Sequence, residues 1–372
     1  MRTRHAPSLL AAMTLSAALI AGSPPGRASA VSVSGKIAFE RYDNAADRGA
    51  VFTIDPDGTD EAQIGLGEDV ITGDWSPNGT KLVVTDFRPE GPRPATADPD
   101  GTGFTVLDPL PGTRFALACG SWSPDGHRLL CTSVNEDVEG GDPADDGVYT
   151  VRSSDGGDLR RVTVAPAGYV DSAVAYSPDG SRILFNRIQQ ETNLGILYSV
   201  SPDGSDLVRL SSPDPSVIEL DSFGGISADW SPDGARVAFA AFWRSSPWSG
   251  RQNAIFVVNA DGSCRHQITP SGIGGISAQW SPDGSSIAFT TKRRSHPEVY
   301  VVRPDGTGLR PIDVPSDGAI SLTPVWSPDG RTLLFVRDEP NGQEHLWTVD
   351  VDGTGLEELG VGGTPYHWAE GP

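Results

Sequence analysis

Cysteine and positive charge are scarce in this chain, and each scarcity excludes something. Three cysteines in 372 residues are too few for a disulfide scaffold. Neither His-x-x-His nor paired-Cys spacing occurs, so the sequence nominates no zinc site. His127, His266, His296, His345 and His367 are scattered singly, and no Ser/His/Asp constellation can be assembled from them. Lys and Arg number 28 against 49 Asp and Glu, a formal net charge of −21. Such a surface repels nucleic acid and anionic membranes, which removes DNA and RNA from the expected partners. Helix-period segments are missing after the N-terminus, and that excludes helical and leucine-rich solenoids. No cofactor is expected.

The one apolar run, Leu9 to Ala21, follows Arg2 and Arg4 and precedes Ala28-Ser29-Ala30. A positive start, a short apolar stretch and a small-residue site make a secretory signal peptide, cut after Ala30. The run is too short to span a bilayer, so no membrane insertion is expected. Losing Arg2, Arg4 and Arg27 takes the net charge from −21 to −24. Residues 31–372 are then expected to form a single exported domain, extracellular or in the periplasm or cell envelope, and monomeric. An exported protein meets oxidising conditions, so Cys119 and Cys131 are a candidate disulfide. They flank Trp122–Gly126 symmetrically about Asp125, and a three-residue hairpin loop there puts them opposite each other as a hydrogen-bonded pair. Cys264 has no partner.

What the sequence has in abundance is one repeated word. Trp280-Ser281-Pro282-Asp283-Gly284 recurs at Trp75–Gly79 (with Asn78 for Asp), Trp122–Gly126, Tyr176–Gly180, Trp230–Gly234 and Trp326–Gly330. Pro presets φ for a type I turn, Asp suits the next position, and Gly accepts the left-handed conformation that closes a hairpin. The aromatic is placed to pack against the next copy. A second word, Asp-Gly, interleaves at residues 57, 100, 155, 203, 261, 305 and 352. One unit therefore reads strand A, Ser-Pro-Asp-Gly turn, strand B, variable loop, strand C, Asp-Gly turn, strand D.

Four antiparallel strands repeating every 42 to 54 residues are the mark of a β-propeller blade. Strand B occurs seven times, as Lys36–Phe39, Lys81–Val84, Arg128–Cys131, Arg182–Phe185, Arg236–Phe239, Ser286–Phe289 and Thr332–Phe335. The segment after residue 30 opens directly on strand B, whereas Thr364–Trp368 is a strand A with no turn after it. The expectation is an all-β, seven-bladed propeller, closed by the C-terminal strand pairing into the first blade. Blade 2 has prolines where strand C belongs, so six well-formed blades plus a degenerate one is the alternative.

These residues resemble the TolB-type WD40-like propeller repeat over essentially the whole chain after residue 30. The resemblance implies a propeller. For function it implies either a protein-docking module or a propeller attached to a serine peptidase. An α/β domain ahead of the ring and a hydrolase domain with a Gly-x-Ser-x-Gly elbow are not found, so a stand-alone exported propeller is expected.

Two regions are candidates for function. The variable B–C loops emerge on one face, and loops of this kind carry binding residues. Phe242, Trp243, Arg244, Trp248 and Arg251 in blade 5, with Lys292, Arg293 and Arg294 in blade 6, supply the aromatic and Arg anchors favoured at interfaces. The acidic run Glu136, Asp137, Glu139, Asp142, Asp145 and Asp146 faces them from blade 3. The other candidate is the channel mouth. The residues before the strand-A aromatics include Asp74, Asp229, Gln279 and His367, which would converge if they face the axis. The expected function is non-catalytic binding of a protein or a cell-envelope or glycan partner through the loop face. The alternatives are a polysaccharide lyase or hydrolase with a channel-mouth site, and a TolB-like envelope-assembly module.

Overall fold

The computed structural model describes residues 35–43, 48–65, 69–88, 91–108, 115–133, 142–211, 228–243, 252–291, 297–312 and 318–369. Seven four-stranded antiparallel sheets form a ring, each with its strands in the spatial order A, B, C, D. The inner A strands are Asp69–Trp75, Leu117–Trp122, Tyr169–Tyr176, Ala228–Trp230, Ile276–Trp280, Ile320–Trp326 and Thr364–Ala369, in blades 2 to 7 and then blade 1. The last of these pairs antiparallel with the first strand, Lys36–Asp43, so the C-terminal strand closes the ring. Among the described residues no helix is long and apolar enough to cross a membrane.

Blade 2 is fully formed. Its strand C, Gly91–Ala97, pairs along its whole length with Leu82–Arg88. Pro94 accepts a hydrogen bond from Leu107 N–H on the strand-D side, and Pro92 and Pro94 turn the same backbone edge that way. Strand D is only Thr105–Val106, so the missing proline N–H groups have no ladder to interrupt.

The core is divided into seven slabs, each lying between two neighbouring blades. Ile255 and Val257 of blade 5 pack with Trp280 and Ile287 of blade 6, and Ile37 and Phe39 of blade 1 pack with Val325 and Leu334 of blade 7. Phe39, Phe185, Phe239, Phe289 and Phe335 of the B strands are wholly buried. Three of them stack on an aromatic of strand C at centroid distances of 5.6–5.8 Å, and Phe289 lies tilted against Tyr300 at 6.0 Å. Truncating such a side chain costs about 3–5 kcal/mol. The strand-A aromatics pack against the preceding blade, not the following one. Trp230, for example, lies with Leu184 and Leu197, and the Trp122 and Trp326 indoles donate to the Asp74 and Gln279 carbonyls one blade back.

Both turn words also join blades. Each Ser-Pro-Asp-Gly turn is closed by the serine. Ser281 N–H donates to Ser286 C=O, Gly284 N–H donates to Ser281 C=O, and the Ser281 hydroxyl donates to Asp283 while accepting from Ser286 N–H. Four residues, not three, lie between the closing pair. The turn glycine then lies against the proline of the preceding blade's turn, as in Gly180 on Pro124 and Gly330 on Pro282. At the Asp-Gly turns, a Cβ on Gly204 or Gly262 would come 2.7 Å from Val162 O or Arg209 O of the blade before. Only glycine fits, for this reason as well as for its positive φ.

Cys119 stands opposite Cys131, and the two form a disulfide with a Cα–Cα distance of 3.9 Å. The four-residue loop alone would misalign them by one position. A β-bulge at Gly120 restores the register. The pair is not hydrogen-bonded, because Cys119 N–H and C=O both bond the Thr85 hydroxyl of blade 2. Cys264 is a free, exposed thiol.

Candidate functional site at the channel mouth

The inner strands reach the axis through bulges. In blades 2, 3, 4, 6, 7 and 1 the register of strand A on strand B slips by one residue two or three positions before the aromatic. The residue two before each aromatic is Gly73, Gly120, Val174, Ala228, Ala278, Pro324 or Tyr366. Gly or Ala at four of these positions lets the strands converge. A Cβ built on Gly73 would meet Gly120 Cα at 2.8 Å, whereas one on Gly120 would meet nothing within 4 Å. Gly120 therefore opens onto the channel.

At four of the junctions, a backbone N–H freed by the bulge is satisfied from the neighbouring blade, where a strand-B side chain accepts the N–H three residues before the next blade's aromatic. Glu40 takes Thr72 at 2.7 Å, Thr85 takes Cys119 at 3.0 Å, Thr132 takes Ala173 at 2.9 Å and Thr290 takes Thr323 at 3.1 Å. At the junction of blade 7 with the C-terminal strand, the matching residues are Val336 and Pro365. There, neither an acceptor nor a donor exists, and the two absences match.

Next to the bulge, just inside the Ser-Pro-Asp-Gly turn end of the channel, the sequence-nominated residues come together in part. His367 Nδ1 lies 3.4 Å from Asp74 Oδ1, an ion-pair contact and not a well-formed hydrogen bond. Their side chains keep 44% and 40% of their surface open to water, although protein surrounds them in the throat. Asp229 accepts a 2.7 Å hydrogen bond from Trp280 N–H. Burial pushes its carboxyl up to about 7; Trp280 N–H and the His367 charge act against this, and Asp74 adds to it. Burial alone would lower the His367 imidazole, but the Asp74 carboxylate beside it and Asp229 outweigh that and raise it. Gln279 is half-buried at the same level. Ser121 and Val325 are buried and so take little part.

Two residues at this site were not visible in the pattern. Tyr366 occupies the bulge position that small or apolar residues hold elsewhere, and it is 46% exposed. Burial among protein atoms, then Glu40 and Asp74, push its phenol above the ordinary value. Glu40 stands where blades 2, 3 and 6 carry Thr85, Thr132 and Thr290. Both depart from the repeat consensus, and that is the signal that could have found them. Among the described residues no three of His, Cys, Asp or Glu are placed to hold a metal ion.

The loop-face residues are mostly out of view. Arg244, Trp248, Arg251, Lys292, Arg293 and Arg294 lie outside the described residues, as do Glu136, Asp137 and Glu139. Phe242 and Trp243 end strand B of blade 5, Arg236–Trp243, instead of standing in its loop, and their side chains are outside the described set. Asp142 precedes a single 3-10 turn that Asp145 ends, and Asp146 is buried.

Residues 216–367 match the family model of the TolB beta propeller domain. Over that stretch the repeat is of the TolB propeller type. Among solved structures, TolB from Acinetobacter baumannii is similar at 19% identity and a TM-score of 0.50, over 74% of this chain and 62% of that one. The chain thus spans less than two thirds of that protein's length. Oligogalacturonate lyase in complex with manganese matches at 14% identity and a TM-score of 0.55, covering 88% of this chain and 85% of that one. The beta-propeller domain of the Trilobed protease from Pyrococcus furiosus matches at 13% and 0.60, over 88% and 94%. At these identities the likeness is one of fold. Propellers of this shape appear in a TolB protein, a lyase and a protease domain alike, so function must be argued from residues.

Proposed function

We propose that this TolB-type propeller is an exported, non-catalytic module that binds a protein or a cell-envelope or glycan polymer through its B–C loop face. One observation carries the reading: the stereotyped turns are engaged in blade-to-blade contacts, which leaves variation to the opposite face. Strands B and C are joined by two residues in blade 2 and by thirteen in blade 3. Glycan arrays and pull-downs from envelope extracts, repeated with Trp243→Ala and Trp248→Ala, test it. Loss of a captured ligand in either variant is expected. Unchanged retention of every ligand found removes the loop assignment.

A second reading is favoured by the channel mouth. Asp229, titrating near 7 by burial, beside the Asp74–His367 contact, is the kind of perturbed pair that supports proton transfer. Under it the protein is a polysaccharide lyase or hydrolase. Cleavage of acidic oligosaccharides that disappears in Asp229→Asn and His367→Gln would establish this reading over the first.

A further inference from the structure

We infer that the C-terminal strand, Thr364–Ala369, is a proton-dependent latch, the place where the ring opens first, held shut by the Asp74–His367–Asp229 cluster. At four other junctions a strand-B oxygen accepts the neighbouring inner strand's N–H; Ala240 of blade 5 offers no such oxygen either, but among the described residues only the blade 7 junction, with Val336 and Pro365, lacks acceptor and donor together. The Pro-on-Gly contacts between Ser-Pro-Asp-Gly turns also skip this place. The C-terminal strand is followed by no such turn, and the first strand of blade 1 belongs to the other end of the chain. On its blade 7 side, the strand packs Trp368 with Val325 and Leu334. The His367 contact with Asp74 reaches to the other side, toward blade 2.

The groups facing His367 can be named element by element. Asp74 comes from the inner strand of blade 2 and Asp229 from that of blade 5. Glu40 of the first strand is committed to Thr72 N–H, and Lys36 on that strand pairs outward with Asp55 at 2.7 Å. Arg41 is held by Glu61 and the Gly362 carbonyl. Tyr366 stays a neutral phenol at any physiological pH, since its phenol is raised. The inner strands of blades 6 and 7, Ile276–Trp280 and Ile320–Trp326, bring no charge. Below neutral pH the cluster is one carboxylate, one imidazolium and one neutral acid, with no net charge. As pH rises through about 7, Asp229 ionises and adds a second carboxylate to the cluster, while His367, held raised by Asp74 and Asp229, gives up its proton only above the ordinary histidine range.

Asp229 and His367 each have a folded value raised above the unfolded one. Each therefore contributes stability that is complete below its unfolded value and is lost as pH rises through the folded value. For Asp229 the loss runs from the ordinary carboxylate range up to about 7. For His367 it lies above the ordinary histidine range.

Native-state hydrogen exchange at pH 6 and pH 8, corrected for intrinsic rates, tests the latch on the full chain. Peptides covering 36–43 and 364–369 are expected to be the least protected strands. Their protection relative to 276–280 should fall by about tenfold or more between the two pH values, since a group that binds its proton tenfold more tightly when the strand is docked favours docking by that factor. Asp229→Asn and His367→Gln should each flatten that difference, whereas Gln279→Ala in the same throat should not. If one variant fails to fold, the other still decides. Protection at these strands equal to that of the other blades, or the same at both pH values in the unaltered protein, overturns the proposal.

Discussion

The smallest unit that matters is the serine of the turn word. Ser76, Ser123, Ser177, Ser231, Ser281 and Ser327 are all buried, and each hydroxyl bonds a turn side chain at 2.5–2.8 Å. The serine hydroxyl and a backbone N–H hold Asp125, Asp179, Asp233 and Asp283 below the ordinary carboxylate value. A lowered folded value means stability that is present above the unfolded carboxylate range and lost as pH falls through the folded one. The protein should therefore lose thermal stability steeply below about pH 4. Asp283→Asn should remove that turn's share of the acid loss while keeping the acceptor, as Asn78 already does in blade 2. Melting curves at pH 3 and pH 5 for the variant and the parent check this. Ser→Ala at the same turn removes a buried partner of two groups and should cost about 1–3 kcal/mol in urea unfolding. Residue identity at these turns was legible because Pro, Asp and Gly act locally. Tyr366 and Glu40 were not, since their meaning depends on strands far away in sequence.

At the level of strands and turns, the hairpins were readable and the bulges were not. A turn word dictates its own φ values, but a bulge exists only relative to a partner strand. Two departures, a loop one residue longer and a bulge at Gly120, cancel. The expected Cys119–Cys131 apposition therefore holds, though the hydrogen-bonding class of the pair does not. The Asp-Gly turns offer a direct measure of how much a turn does beyond reversing the chain. Gly262→Ala faces both a φ of +82° and a carbonyl at 2.7 Å, whereas Gly272→Ala faces a φ of +86° with open space. The first should lower stability by more than the second, which should cost about 1–2 kcal/mol from backbone strain alone. Urea midpoints for the two variants, taken side by side, isolate the blade-to-blade contact. Equal losses would mean that the turn glycine serves its own hairpin only.

For the molecule as a whole, counting each strand separately was enough to find seven blades and the closing strand, because every unit repeats the same punctuation. What lay beyond reach was the face on which the units differ: Trp248, Arg251 and Lys292 to Arg294 belong to no repeated word. Closure itself can be tested by shortening the chain after Gly363. This bares the edge of Lys36–Asp43 and the apolar groove that holds Trp368. An uncovered strand edge invites pairing with another chain, so the shortened protein should elute as a larger species than the full chain. A monomer with unchanged melting would mean that the ring does not need its last strand. Turn carboxylates and the throat cluster together confine best stability to a window above roughly pH 4 and below roughly pH 7, set by their opposite shifts.

Gly120 has a consequence of its own. Because the missing side chain would touch nothing, this position is a vacant socket in the throat wall, with a buried hairpin pinned behind it. One substitution there would hang a carboxylate, an amide or a ring in the throat without repacking a single slab.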